Sequence, residues 1–442
     1  MVLAVLAALG AWSSPLARAQ TASSGSWLTY QHDAARSGIA EGSFPNPANA
    51  SVLWESAQLD GQVYAQPLIA GGRVLVATEN NTVYALDAAS GTPVWSQHLG
   101  DPVPRSRLPC GNIDPTGITS TPVIDASAGI LYAVDYLLQP QPHHEIVALD
   151  LGTGSVQFNQ PLDPPGGSIT AHQQRAALAL ANGNVYVPFG GLFGDCGDYH
   201  GWLIAASPTD GSMRSVYQVP THREGAIWAA PVVGPSGDIY AATGNGDSVG
   251  EFDMANAIVR LSPDLQQLDY YAPADWAQLS RADADLGSIG PTLLDNNLIL
   301  QSGKRGQGYL VQADHLGQIG GELFQDALCS GAYGEGGHTG SVAYLPCRDG
   351  LVAVQVQPTS FSVAWHGPRF NAGAPVITDT AIWTLDDSSA TLYALSPQDG
   401  SVIWKAPTSA VGNPPHFLTP AAADGRLYYS RGTTIVAVGT AP

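Results

Sequence analysis

The side chains best suited to chemistry in this sequence are polar residues set among glycines. Asp195, Asp198 and His200 lie in Gly190-Gly-Leu-Phe-Gly-Asp-Cys-Gly-Asp-Tyr-His200, Asn245 and Asp247 in Ala242-Thr-Gly-Asn-Gly-Asp247, and Lys304 and Arg305 in Gly303-Lys-Arg-Gly-Gln-Gly308. Glu224, Trp228, His338 and the pair Asp283-Ala284-Asp285 complete the set. Carboxylates with an amide carbonyl suit a hard cation such as calcium. Asp283 and Asp285, sharing one face of an extended strand, also match the paired carboxylates of glycan cleavage, for which retaining hydrolases need about 5–5.5 Å between carboxyls. The plainer alternatives are that Asn-Gly and Asp-Gly simply make turns and that the Asp pair is a solvated acidic loop.

A repeated architecture would bring residues so far apart in sequence to one face. Residues 61–100 hold short apolar runs at 66–70, 74–78 and 83–86 and a fourth opening at Val94-Trp95, separated by Gly71-Gly72, Glu79-Asn80-Asn81 and the turn Asp87 to Gly91. Alternating runs between Gly and Asn clusters read as antiparallel strands. Four of them make one propeller blade, and a lone sheet cannot bury both faces, so copies must follow. A proline early in the first strand recurs at Pro67, Pro122, Pro231, Pro291, Pro375 and Pro420, in steps of 55, 109, 60, 84 and 45 residues. The two long steps each fit two blades, with slots near Ala177 and Ser341, which gives eight blades. Ala-Leu-Asp-Ala-Ala-Ser-Gly from Ala85 returns as Ala-Leu-Asp-Leu-Gly-Thr-Gly from Ala148 and Ala-Leu-Ser-Pro-Gln-Asp-Gly from Ala394. Four residues after each Gly stands an aromatic, Trp95, Phe158 or Trp404, with Tyr270 in the equivalent place. Wedged between sheets, such a ring contributes about 2–5 kcal/mol by area.

The expected architecture is therefore an all-β, eight-bladed propeller of four-stranded antiparallel blades over 51–442. The N-terminal strand near Trp54 completes the last blade, which otherwise keeps an open edge. Residues 272–286 read as an irregular or briefly helical insert. Residues 20–50 read as an arm lying along the propeller. Residues 1–19 read as a signal peptide ending at Ala17-Arg18-Ala19, its apolar stretch too short to span a bilayer, so the chain is expected to be exported to the periplasm or beyond. A net charge of −20 argues against nucleic-acid partners and anionic membrane surfaces. Loops between strands two and three and links between blades share one face of a propeller. Cys110, Cys196, Cys329 and Cys347 all map there, and in an exported chain they are expected to pair as Cys110–Cys196 and Cys329–Cys347. No Cys-x-x-Cys occurs, which leaves no attached c-type haem and no zinc site of that type.

The Ala-Leu-Asp-x-x-Ser/Thr-Gly-x-x-x-Trp repeats and the opening Trp27…Tyr30-x-His32-Asp33…Arg36 resemble the quinoprotein alcohol dehydrogenase propeller superfamily over about residues 27–438. The chain is most similar there to PQQ-binding-like repeat proteins and their polyvinyl-alcohol-dehydrogenase-type relatives. The resemblance implies pyrroloquinoline quinone (PQQ) lying on Trp228, with calcium held by Asn245, seventeen residues after that Trp, and by Asp195, with Asp198 second. It implies Asp285, in Asp283-Ala284-Asp285-Leu286-Gly287, as general base and Lys304 as the basic residue opposite the quinone. The substrate would be a small or polymeric alcohol, and an external acceptor would take the electrons.

The chain departs from the pattern at one place. The family's adjacent cysteines and following Arg are replaced by a single Cys110 beside Gly111, and by Pro115-Thr116-Gly117 where the Arg would stand. Arg175 or Arg305 would then have to meet the quinone's carboxylates. The alternative function is a cofactor-free propeller that binds a protein or polysaccharide partner, because a fold does not fix a function.

Overall fold

A computed structural model describes residues 25–44, 46–407 and 414–440. The signal peptide read at 1–19 lies outside the described residues. Eight antiparallel sheets follow one another around a central axis. Blade 1 is Leu68–Ala70, Arg73–Ala77, Thr82–Asp87 and Pro93–His98. Blades 2 to 7 repeat this meander, beginning at Val123–Asp125, Ala179–Ala181, Val232–Val233, Thr292–Leu293, Gly337–Thr339 and Val376–Ile377. Blade 8 takes three strands, Ala421–Ala423, Arg426–Ser430 and Ile435–Gly439, from the end of the chain and its fourth, Ser51–Glu55, from the beginning, with Trp54 paired to Ala437. Two sheets exceed four strands. Gln318–Ile319 adds in parallel to Gln267–Ala272 at the edge of blade 4, and His172–Gln173 pairs with the second strand of blade 3. A short helix, Trp276–Arg281, fills the insert before blade 5. Among the described residues no helix is long and apolar enough to cross a membrane.

The repeated motif has a mechanical meaning. In blade 2, Asp150 Oδ1 accepts from Thr153 N at 2.8 Å and from its hydroxyl, while Gly154 N donates to Asp150 O at 2.8 Å. Gly154 takes φ +75° to close the turn, and a Cβ there would stand 2.5 Å from the Trp95 ring of blade 1. Trp95 Nε1 then donates to Leu151 O at 3.3 Å. The aromatic of one blade thus caps the glycine turn of the next. The same contact joins Trp54 to Gly91, Phe158 to Gly211 and Trp365 to Gly400. The ring also meets an aromatic of its own blade, Phe158 beside Tyr132 and Trp365 beside Tyr344; in blades 4 and 7, Tyr270 stacks on Phe252 and Trp404 stands edge-on to Trp383.

The N-terminal segment differs from the arm expected along the propeller: it crosses the axis. Trp27 N donates to Ile69 O, Ile124 N to Leu28 O, Val233 N to Ala34 O, His338 N to Ser37 O and Ile377 N to Gly38 O. The Arg36 guanidinium, 2% exposed, donates to Leu178 O and Pro231 O. Six blades are stitched to this one strap, whose inward groups satisfy innermost-strand donors and acceptors that a bare channel would leave to water. Both expected disulfides are present, Cys110–Cys196 and Cys329–Cys347.

Candidate functional site

The strap closes one end of the axial channel, and a cavity of about 490 Å³ remains above it. Tyr30 of the strap lines it, together with Arg175, Ala177, Asp195, Trp228, Ala230, Asp283, Ser288, Lys304, Tyr333, Arg348 and Phe417. These come from the links between blades and the loops after second strands, the face on which the polar residues were expected.

One wall is acidic with a lysine at its centre. Lys304 Nζ donates to Asp283 Oδ1 at 2.7 Å, pairs with Asp285 Oδ2, and stands 5.6 Å from the centre of the Trp228 ring. Trp228 Nε1 donates to Gly191 O at 3.3 Å, and Gly190 lets the indole approach: a Cβ there would lie 2.5 Å from the ring. Asn245 N donates to Asp285 Oδ1 at 2.6 Å and Asn245 Nδ2 to Asp283 Oδ1 at 2.8 Å. Asp195 Oδ1 accepts from Tyr199 OH at 2.6 Å. Burial pushes the Asp285 carboxyl up to about 6, against the pull of Lys304. Burial works against the Lys304 ammonium too, but Asp285 and Asp283 outweigh it and hold its pKa above the ordinary lysine value. Burial also raises Asp195, with the Tyr199 hydroxyl opposing it.

The opposite wall is aromatic. The Arg175 guanidinium lies 4.3 Å from the centre of the Phe417 ring, Tyr333 stacks on Phe417 at 6.1 Å, and His416 stands edge-on to Tyr64 at 5.3 Å. Burial lowers Arg175 to about 10, offset by Tyr64, Glu79 and Asp387, so it stays cationic at neutral pH. Burial and then Arg175 lower His416 to about 3, which keeps it neutral.

Several expectations change. Arg305 does not join the site: adjacent turn residues diverge, and its guanidinium pairs with Asp275 away from the cavity. His338 lies on the strap's side, lining a second hollow with His32 and Asp33. Asp285 is 0% exposed beneath Lys304, whereas Asp283, 68% exposed, faces the cavity. Asn256, Tyr199 and the Tyr333–Phe417 stack were not found from the sequence.

The cavity fits a planar aromatic polycarboxylate such as PQQ. It is lined by Trp228 and by three cationic side chains, Arg175, Lys304 and Arg348, in a protein of net charge −20. It does not fit calcium on Asp195 and Asn245. Asn245 Oδ1 accepts from Asn256 Nδ2 at 3.2 Å, its amide nitrogen faces Asp283, and Asn245 does not line the cavity. Among the described residues the one group of three His, Cys, Asp or Glu at mutual ligand spacing is Cys329, Cys347 and Asp349, whose cysteines are spent in a disulfide.

The family model described as outer membrane protein assembly factor BamB matches residues 46–289. No curated protein sequence matches. Among solved structures, the quinohemoprotein alcohol dehydrogenase ADHIIG of Pseudomonas putida HK5 aligns over 94% of this chain and 80% of its own, with a TM-score of 0.74 and 13% identity. A europium-containing methanol dehydrogenase aligns over 92% and 89%, with a TM-score of 0.68 and 14% identity. BamB of Moraxella catarrhalis aligns over 88% and 99%, with a TM-score of 0.60 and 15% identity. At these identities the likeness is one of fold.

Proposed function

Because this chain belongs to the PQQ-binding-like propeller family whose model is described as outer membrane protein assembly factor BamB, we propose that it is an exported quinoprotein that oxidises a small or polymeric alcohol in its axial cavity and passes the electrons to an external acceptor. The observation that carries this reading is the Asp283–Lys304–Asp285 cluster set against the face of Trp228 inside a cavity large enough for a tricyclic ring. The two disulfides support export.

A bound quinone supplies the two-electron acceptor. The chain's residues do the rest. Trp228 supplies an aromatic wall, and Arg175 and Arg348 neutralise carboxylates that the protein's mean field would repel. Asp283, facing the cavity and hydrogen-bonded to Lys304, takes the hydroxyl proton as general base. Asp285 is a positioning residue: buried and bonded to Asn245 N, it holds the ammonium in place.

The test is titration of the purified protein with PQQ, followed by tryptophan fluorescence, then dye reduction with alcohols. Quenching at micromolar quinone in the wild type and its loss in Trp228→Ala are expected. No binding at micromolar quinone would end the enzyme reading in favour of a cofactor-free scaffold for a protein or polysaccharide.

A further inference from the structure

We infer that Lys304 is the built-in cation of this cavity: its ammonium occupies the place between Asp283 and Asp285 that a divalent ion would need, and the site works without a metal. The hydrogen bonds orient every amide here without ambiguity. Leu286 N–H can only donate, and its acceptor is Asn256 Oδ1 at 2.8 Å. Asn256 Nδ2 must therefore point the other way, where it donates to Asn245 Oδ1 at 3.2 Å and to Ser280 Oγ at 3.0 Å. That leaves Asn245 Nδ2 directed at Asp283 Oδ1 and Asn245 N at Asp285 Oδ1. Gly244 permits the close approach, since a Cβ there would lie 2.6 Å from Asp285 Oδ1.

A metal cup turns oxygens inward toward one point. Here the two carboxylates receive N–H donors from Asn245 and from Lys304, and the amide oxygen that would complete a cup is spent on Asn256. The ammonium also removes half of the charge that would attract a divalent ion, cutting the net charge of the three-group cluster to a single negative.

The inference concerns the same cavity but does not depend on quinone binding. Terbium(III), a hard oxygen-seeking ion whose emission is excited by a nearby indole, is the probe, with Trp228 as the antenna. The intact protein is titrated alongside Lys304→Ala and Lys304→Gln, each checked for folding by far-ultraviolet circular dichroism. Removing a full positive charge in contact with two carboxylates is expected to tighten terbium binding at least about tenfold, and adding Asp283→Asn to Lys304→Ala should abolish that gain. A wild type that binds terbium or calcium as tightly as the Lys304 variants, with the affinity lost in Asp283→Asn, overturns the inference. So do folded Lys304 variants that bind no tighter than wild type. Tryptophan quenching by PQQ, repeated after chelation with EDTA, separates the two ideas. Absence of quenching in every sample counts against the proposed function alone, whereas quenching that requires added calcium counts against a metal-free site.

Discussion

Replacing Gly154 by alanine tests how the ring is held together. Gly154 sits at φ +75°, and its new methyl would lie 2.5 Å from Cε3 and 2.8 Å from Cδ2 of Trp95. The left-handed conformation costs a residue with a Cβ about 1–2 kcal/mol. Forcing the indole aside adds about 1–3 kcal/mol of overpacking. The total is about 2–5 kcal/mol. Gly129 is the internal control: its φ is +70°, yet a Cβ there meets nothing within 4 Å. Gly129→Ala should therefore show only the backbone cost, about 1–2 kcal/mol. The assay is urea unfolding followed by far-ultraviolet circular dichroism, with both glycines replaced singly and each again in a Trp95→Ala background. Removing the indole should bring the Gly154 cost down to that of Gly129, a coupling expected only for groups in contact. Equal costs at the two glycines, or a Gly154 cost that does not change when Trp95 is absent, would refute the claim that ring and glycine lock neighbouring blades.

Two further outcomes follow from buried charge and from the cross-links. Burial raises Asp135 to about 8 and Glu79 and Asp387 to about 7. Their folded pKa values exceed the unfolded ones, so the folded state holds these protons longer, and the stability they contribute below the unfolded pKa is lost as pH rises through 7 and 8. Burial lowers His172 to about 4 and His416 to about 3, which acts in the opposite direction but only below the ordinary histidine value of 6.5. Between pH 6.5 and 8.5 the urea midpoint should therefore fall, and Asp135→Asn should remove about 1–2 kcal/mol of that slope; a midpoint that rises over this range contradicts the assignment. Loss of Cys110–Cys196, which closes 86 residues, should cost about 4–5 kcal/mol, and loss of Cys329–Cys347, which closes 18, about 3 kcal/mol, measured by serine variants in the same unfolding assay.

The repeat carried the fold because every residue in it acts mechanically. The Asp caps the turn, the Gly supplies the positive φ, and the aromatic lies on the next blade's Gly. Both disulfides were legible for a related reason, since propeller topology assigns every loop to a face. Part of the site was equally legible. Tyr64, Thr119, Trp228, Ser288 and Phe417 each stand three residues before a repeat proline, and all five line the cavity. Read across the blades, that position would have found the aromatic wall. The path of the strap was hidden, because the hydrogen bonds that Trp27 donates and that Leu28, Ala34, Ser37 and Gly38 accept are made by backbone atoms that leave no mark on residue type. That Asp283 rather than Asp285 faces the cavity was hidden as well. Two residues apart, they differ only in which one the Lys304 turn covers, and Asn256, which fixes Asn245, is named by no motif.

Ser51–Glu55 leaves the ribosome, or emerges from an export pore, ahead of the other blade strands, while its partner Ile435–Gly439 follows all the other strands of the ring. Throughout that interval the chain has an unpaired leading edge and a growing sheet stack that cannot close. Any prematurely ended product would keep both edges, each a template for pairing with another chain. Joining Ser51–Glu55 to Ile435–Gly439 therefore makes synthesis through Gly439 the condition for a closed ring, and marks shorter copies by the sticky borders they cannot hide.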